Sequence, residues 1–203
     1  ARRLHSTAAD TVRVGPRGRR LCIGGLPIVP GRDLNRVLDA VLEADLIQAV
    51  KVLTSLDGAF AAFLWDPDAG RLVVVNDFAG LYPTYIRRSP GTLSIAPTMA
   101  ELSDGTPDPA GWGAFVGFGH LVGERTSSAG VTRMPPATVL EYEPSLDRLT
   151  MRAYWQWPAA EETVTLDAVD TGGLLDAIAA SLAAYEPYGG TPTLLLSGGF
   201  ESR

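Results

Sequence analysis

Phe60-Ala61-Ala62-Phe63-Leu64-Trp65, Asp66-Pro67-Asp68-Ala69-Gly70 and Leu72-Val73-Val74-Val75 together decide how this chain folds. The first segment is apolar and partly aromatic, and the last is apolar and β-branched; both compositions suit a pleated, half-buried surface. The stretch between them consists of turn formers. The whole reads as a β-hairpin with a five-residue connection, Asp66 to Gly70. Further out, Tyr82-Pro83-Thr84-Tyr85-Ile86 and Leu93 to Ala96 read as additional strands. Upstream, Asp33 is placed to cap a helix. Leu34, Val37, Leu38, Val41 and Leu42 follow it at the spacing of one helical face. Antiparallel strands stacked with helices imply a layered α+β domain.

The chain has 203 residues, 46% hydrophobic and 20% charged, which predicts a substantial core rather than disorder. The net charge of −6 gives no support for nucleic acid or a membrane surface as partner. No apolar run approaches the roughly 20 residues of a membrane span, and no hydrophobic leader is visible. Because residue 1 is Ala rather than Met, the start is not expected to be the native one. A single cysteine, Cys22, cannot staple a domain, so a reducing, cytoplasmic setting is the default expectation. His5 and His120 lie far apart without metal-ligand spacing, and each reads as an ordinary surface or core residue.

Arg2, Arg3, Arg13, Arg17, Arg19 and Arg20 crowd the first twenty residues beside Asp10. No aromatic residue interleaves them as a stacking platform requires, so they read as a solvated, partly disordered terminus rather than a nucleic-acid arm. Trp112, Phe115 and Phe118 are spaced three apart, as in a helical turn facing a core. Residues 158–165 turn polar and read as a linker. Leu174, Leu175, Ile178, Leu182 and Tyr185 mark a helix of a second domain, and Pro187 to Pro192 breaks it. The chain then reaches Leu194-Leu195-Leu196-Ser197-Gly198-Gly199-Phe200-Glu201-Ser202. The leucine run has the pattern of a strand buried on both faces. Its exit through Ser-Gly-Gly is either an ordinary strand-to-turn exit or a place where backbone N–H groups can face oxygen anions.

Several stretches resemble the asparagine synthetase family. Ser197 to Ser202 is similar to its pyrophosphate loop Ser-Gly-Gly-x-Asp-Ser, with Glu201 in place of Asp. Leu56 to Asp66 resembles Leu-x-Gly-x-Phe-Ala-x-x-x-Trp-Asp, and Asn76 to Tyr85 resembles Arg-Asp-x-x-Gly-x-x-Pro-Leu-Tyr. Met134 to Thr138 is similar to Leu-Pro-Pro-Gly-x, and Tyr154-Trp155 matches the Tyr-Trp that closes the amino-terminal domain. These matches fall in the family's order over roughly residues 20–203.

The resemblance implies an αββα sandwich of the N-terminal-nucleophile, glutamine amidotransferase-like type over residues 1–157. Residues 158–203 would open an α/β ATP-pyrophosphatase domain that stops just after its loop. The implied reaction is amide formation. ATP and Mg2+ would activate a small-molecule or peptide carboxylate as an acyl-adenylate, which an amine or ammonia attacks. Leu196, Ser197, Gly198, Gly199, Glu201 and Ser202 would bind ATP, with Glu201 assisting at Mg2+ or pyrophosphate. The resemblance covers asparagine synthetases and relatives that form β-lactams or close lasso peptides.

Glutaminase members of the family need a cysteine at the mature N-terminus, whose α-amino group acts as base. Cys22 is internal, within Leu21-Cys22-Ile23, and the family's Asn-Gly-Glu occurs nowhere in the chain. Either truncation removed the true N-terminus or the first domain is a non-catalytic relic; the missing internal motif favours the relic. A non-enzymatic scaffold or binding domain is the alternative to the ligase.

Overall fold

The computed structural model describes residues 12–157 and 170–186. The chain divides into two compact units, Ala1–Ala159 and Ala160–Arg203.

In the first unit a large antiparallel sheet carries the expected hairpin, β3 (Asp57–Asp66) and β4 (Arg71–Asn76), at its centre. The connection runs from Pro67 to Gly70, one residue shorter than expected, because Asp66 still pairs with Arg71. On one side of the hairpin lie β2 (Arg20–Ile28) and β1 (Arg13–Val14); on the other lie β8 (Thr138–Glu143) and β9 (Arg148–Ala153). The order is β1-β2-β3-β4-β8-β9. A second antiparallel sheet has the order β6-β5-β7, from β5 (Tyr85–Ser89), β6 (Thr92–Ala96) and β7 (Val131–Arg133). Strand β5 begins later than the sequence suggested. The Tyr82 N–H is drawn out of any ladder by the Asp77 carboxylate, 2.9 Å away.

Alternation along the central strands makes two cores. Phe60, Ala62 and Leu64 of β3, Val73 and Val75 of β4 and Val139 of β8 face two helices. Val74, Leu140 and Tyr142 face the second sheet, where they meet Ile86 and Met134. The layers are therefore helix, sheet, sheet. Each fully buried side chain such as Phe60 or Leu64 stabilises this stack by about 1.5–3 kcal/mol.

Helix α1 (Leu34–Glu43) starts where expected, with the Asp33 carboxylate accepting from the Asn35 N–H at 2.8 Å. Leu38, Val41 and Leu42 are buried, while Leu34 and Val37 are half-buried against the same core. Helix α2 (Leu46–Leu53), on which the sequence reading made no prediction, follows at once. Asp45 caps it through the Gln48 N–H at 2.8 Å.

The arginine-rich start is not simply a solvated terminus within the described residues. Arg19 is 4% exposed. Its Nε and Nη2 donate to Asp66 Oδ2 at 2.9 and 2.6 Å, and Nη1 donates to the Ala44 carbonyl. Asp66 Oδ1 takes the N–H groups of Asp68 and Ala69 at 3.0 and 3.1 Å, closing the hairpin turn. Arg13 and Arg17 pair with Asp39 and Asp68 nearer the surface.

Helix α3 (Pro109–Phe118) forms, but its aromatic residues do not face a core. Trp112, Phe115 and Phe118 are all exposed, and Gly111 is the only buried residue of the helix. A Cβ on Gly111 would lie 2.0 Å from the Thr126 carbonyl oxygen, so the helix approaches its neighbour through the glycine and turns its rings outward. His120 is exposed, with Nδ1 3.0 Å from the Phe118 carbonyl oxygen. In the second unit, α4 (Thr171–Ala183) carries Leu174, Leu175, Ile178 and Leu182, all exposed.

Candidate functional site

Strand β4 ends at Asn76, and the next residue gathers the surrounding backbone. The Asp77 side chain is fully buried. Its Oδ1 accepts from Ala79 N (3.1 Å) and Leu81 N (2.9 Å), and Oδ2 from Tyr82 N (2.9 Å) and Phe60 N (3.3 Å). Its carbonyl oxygen takes the N–H groups of Gly80 and Ala137 at 3.1 and 3.0 Å. The loop can close so tightly because Gly80 adopts φ +65. Arg133 holds the Gly80 carbonyl at 2.8 Å.

Asn76 clamps the turn before β8. Its amide donates to the Pro135 carbonyl at 2.7 Å, and its side-chain oxygen accepts from Thr138 N at 2.8 Å. The Asn76 carbonyl in turn accepts from the Tyr154 hydroxyl. Burial, and then the charge of Asp77, push the Tyr154 phenol up to about 12. The motifs around Asn76, Pro135 and Tyr154, distant in sequence, thus meet at one end of the large sheet.

Tyr82 reaches from this loop over β2. A Cβ on Gly24 would lie 2.3 Å from its hydroxyl oxygen, and one on Gly25 would lie 2.7 Å from its ring. Gly25 also has φ +87, and a Cβ there would meet the Ala59 carbonyl at 2.2 Å. The two glycines therefore leave β2 bare so that the tyrosine can lie on its backbone. Cys22 sits two residues earlier on the same face, half-buried, in register with Phe63 of β3.

This arrangement holds backbone in place. The Asp77 carboxylate is filled with N–H donors, and the Asn76 amide is spent on the turn. The Cys22 nitrogen lies in a peptide within a strand, so no α-amino group is available beside the thiol. Among the described residues no group of acidic, histidine and cysteine side chains could hold a metal ion. No helix there is long and apolar enough to cross a membrane. Leu196, Ser197, Gly198, Gly199, Glu201 and Ser202 lie outside the described residues, as do the linker at 158–165 and His5. Sequence reasoning missed the clamp made by the Asn76 side chain and the covering of β2 by Tyr82. The paired glycines Gly24-Gly25 were the available signal for the second.

Residues 31–104 match the family described as a glutamine amidotransferase domain. No curated protein matches the chain. Among solved structures, the chain is similar to the glutamine phosphoribosylpyrophosphate amidotransferase from B. subtilis complexed with ADP and GMP. Identity is 12% and the TM-score 0.44, over 72% of this chain and 31% of that one. The chain thus spans about a third of that protein's length.

Proposed function

We propose that this chain is the amino-terminal part of an asparagine synthetase-like, ATP-dependent amide-forming enzyme. Its glutamine amidotransferase-like domain is of the N-terminal-nucleophile type, with the helix, sheet, sheet layers of the described residues as three of the four in an αββα order, and it no longer hydrolyses glutamine. The family match over residues 31–104 supports the domain type. The meeting of the resemblance motifs at Asp77 supports their common origin. The observation that supports the loss of glutaminase is the missing internal Asn-Gly-Glu; Cys22, inside β2 and paired with Phe63, does not supply the nucleophile either.

When bound, ATP with Mg2+ supplies adenylation of a carboxylate for attack by an amine or ammonia. Ser197, Gly198 and Gly199 would hold phosphate oxygens with backbone N–H groups and a hydroxyl. Leu196 would lie under the nucleotide, Ser202 would add a hydroxyl, and Glu201 would assist the metal or pyrophosphate. The substrate class is a small-molecule or peptide carboxylate.

Two assays on the full-length protein separate the halves of the proposal. Glutamate release from glutamine should stay at background; turnover abolished by Cys22→Ser overturns the non-hydrolytic domain. Carboxylate-dependent exchange of pyrophosphate into ATP should be present and lost in Gly199→Val. Exchange unaffected by that substitution leaves the loop a plain turn, and no exchange in the unsubstituted protein replaces the ligase with a scaffold.

A further inference from the structure

On the helix side of the large sheet, α2 stops short of β8 and β9 and leaves a groove of about 570 Å³. Its floor is apolar, from Val50, Ala153 and the Tyr154 ring. Its rim carries Lys51, Arg71 and Arg152 against one carboxylate, Glu141. That is a local reversal of sign in a chain with net charge −6.

The cations are not equivalent. Arg71 is committed, at 3.5 Å from Glu141 and 3.7 Å from Glu143, and Glu143 also takes Arg148 at 2.7 Å. Lys51 and Arg152 make no ion pair among the described residues. The register of β8 and β9 explains this for Arg152: it stands opposite Val139, whereas Arg148 stands opposite Glu143. The Tyr154 hydroxyl is spent on Asn76, so its ring offers the groove only apolar surface.

We infer that this groove binds a phosphate monoester carried on a small apolar or aromatic body. A phosphate monoester carries about −1.5 to −2 charges near pH 7, which two uncommitted cations match; a single carboxylate would leave one of them uncompensated. The guanidinium fork of Arg152 suits paired phosphate oxygens, and Lys51 adds a point charge. The apolar floor takes the body of the ligand.

The test is a titration of the 203-residue protein at low salt, followed by amide NMR and calorimetry, with phenyl phosphate and inorganic phosphate as probes. Phenyl phosphate should shift the amides of Lys51, Thr54 and Ala153 saturably and bind about tenfold or more tighter than inorganic phosphate. The double variant Lys51→Gln/Arg152→Gln should lose about tenfold or more in affinity, while Arg148→Gln should leave it unchanged. All three side chains are exposed, and a thermal melt of each variant verifies the fold. Three results overturn the inference: no saturation by phenyl phosphate below about 10 mM, equal affinity for inorganic phosphate, or an equal loss in Arg148→Gln.

Discussion

The Tyr154 hydroxyl donates to the carbonyl oxygen of Asn76 at 2.8 Å, joining residues 78 positions apart. This bond ties the segment after β9 to the end of β4, beside the Asp77 charge that helps hold the phenol neutral. Because its folded pKa is raised to about 12, the stability it contributes is complete below the ordinary tyrosine value of about 10 and is lost as pH rises toward the folded value. One tyrosine should therefore titrate late in an absorbance titration of tyrosinate. Tyr154→Phe should remove that late phase and cost about 1 kcal/mol in urea unfolding at neutral pH. Retention of the late phase in the variant would assign it to another tyrosine.

Asp77 should be among the least replaceable side chains of the first unit. Asn at this position places an amide donor among N–H groups that converge on a carboxylate. Asp77→Asn should cost about 2–3 kcal/mol or more by chemical denaturation, since hydrogen bonds to a charged acceptor are the strong ones. A change within about 0.5 kcal/mol, the surface expectation, would contradict the geometry.

The Arg19–Asp66 pair predicts sensitivity to acid. Burial pulls the Asp66 pKa up, but the Ala69 N–H, Arg19 and the Asp68 N–H pull it further down, and it ends below the ordinary value. Its contribution is full above the unfolded carboxylate value of about 3.9 and disappears as pH falls through the lower folded value. Asp66→Asn should make unfolding free energy depend less steeply on pH below about 4. Some slope will remain, because Asp108 and Asp147 are also held below their ordinary values. At neutral pH the same variant should cost about 3–5 kcal/mol, as Arg19 is left buried without its partner. Parallel pH profiles for the two proteins would refute the assignment.

Leu38 is 6% exposed on the face of α1 that meets the large sheet. Leu38→Ala should cost about 2–5 kcal/mol. Leu34→Ala, at a half-buried position one turn earlier, should cost less. Reversal of that order in thermal unfolding would show that the helix face is rotated.

How legible the molecule was depends on what each element presents. The β3–β4 hairpin stood out because its apolar residues are concentrated and bounded by Asp, Pro and Gly. Helix α1 stood out because Asp33 caps a regular apolar face. Strand β2 did not: Gly24, Gly25 and Pro27 interrupt its alternation, and the two glycines serve the contact with Tyr82 and the passage past Ala59. Strand β9 was hidden because it is an edge strand whose exposed side chains include Arg148 and Arg152. Trp112, Phe115 and Phe118 misled, since spacing reports a helix but not which side is covered. The Asp77 loop was visible as a motif, but its role was not, because its donors are backbone N–H groups that nearly every residue type carries.

The placing of β8 beside β4 shapes how the chain can be made. Between these neighbours the polypeptide builds the whole second sheet and α3 before it returns. During synthesis, Val73, Val74 and Val75 must therefore wait with one row of their backbone groups unpaired until Val139 and Leu140 have left the ribosome. A waiting, uncharged, β-branched edge is a template for another chain. Nascent chains halted between Asn76 and Thr138 should be the most aggregation-prone intermediates of this protein. Its yield in a cell should depend more on the pace of translation across that interval than on the stability of the finished fold.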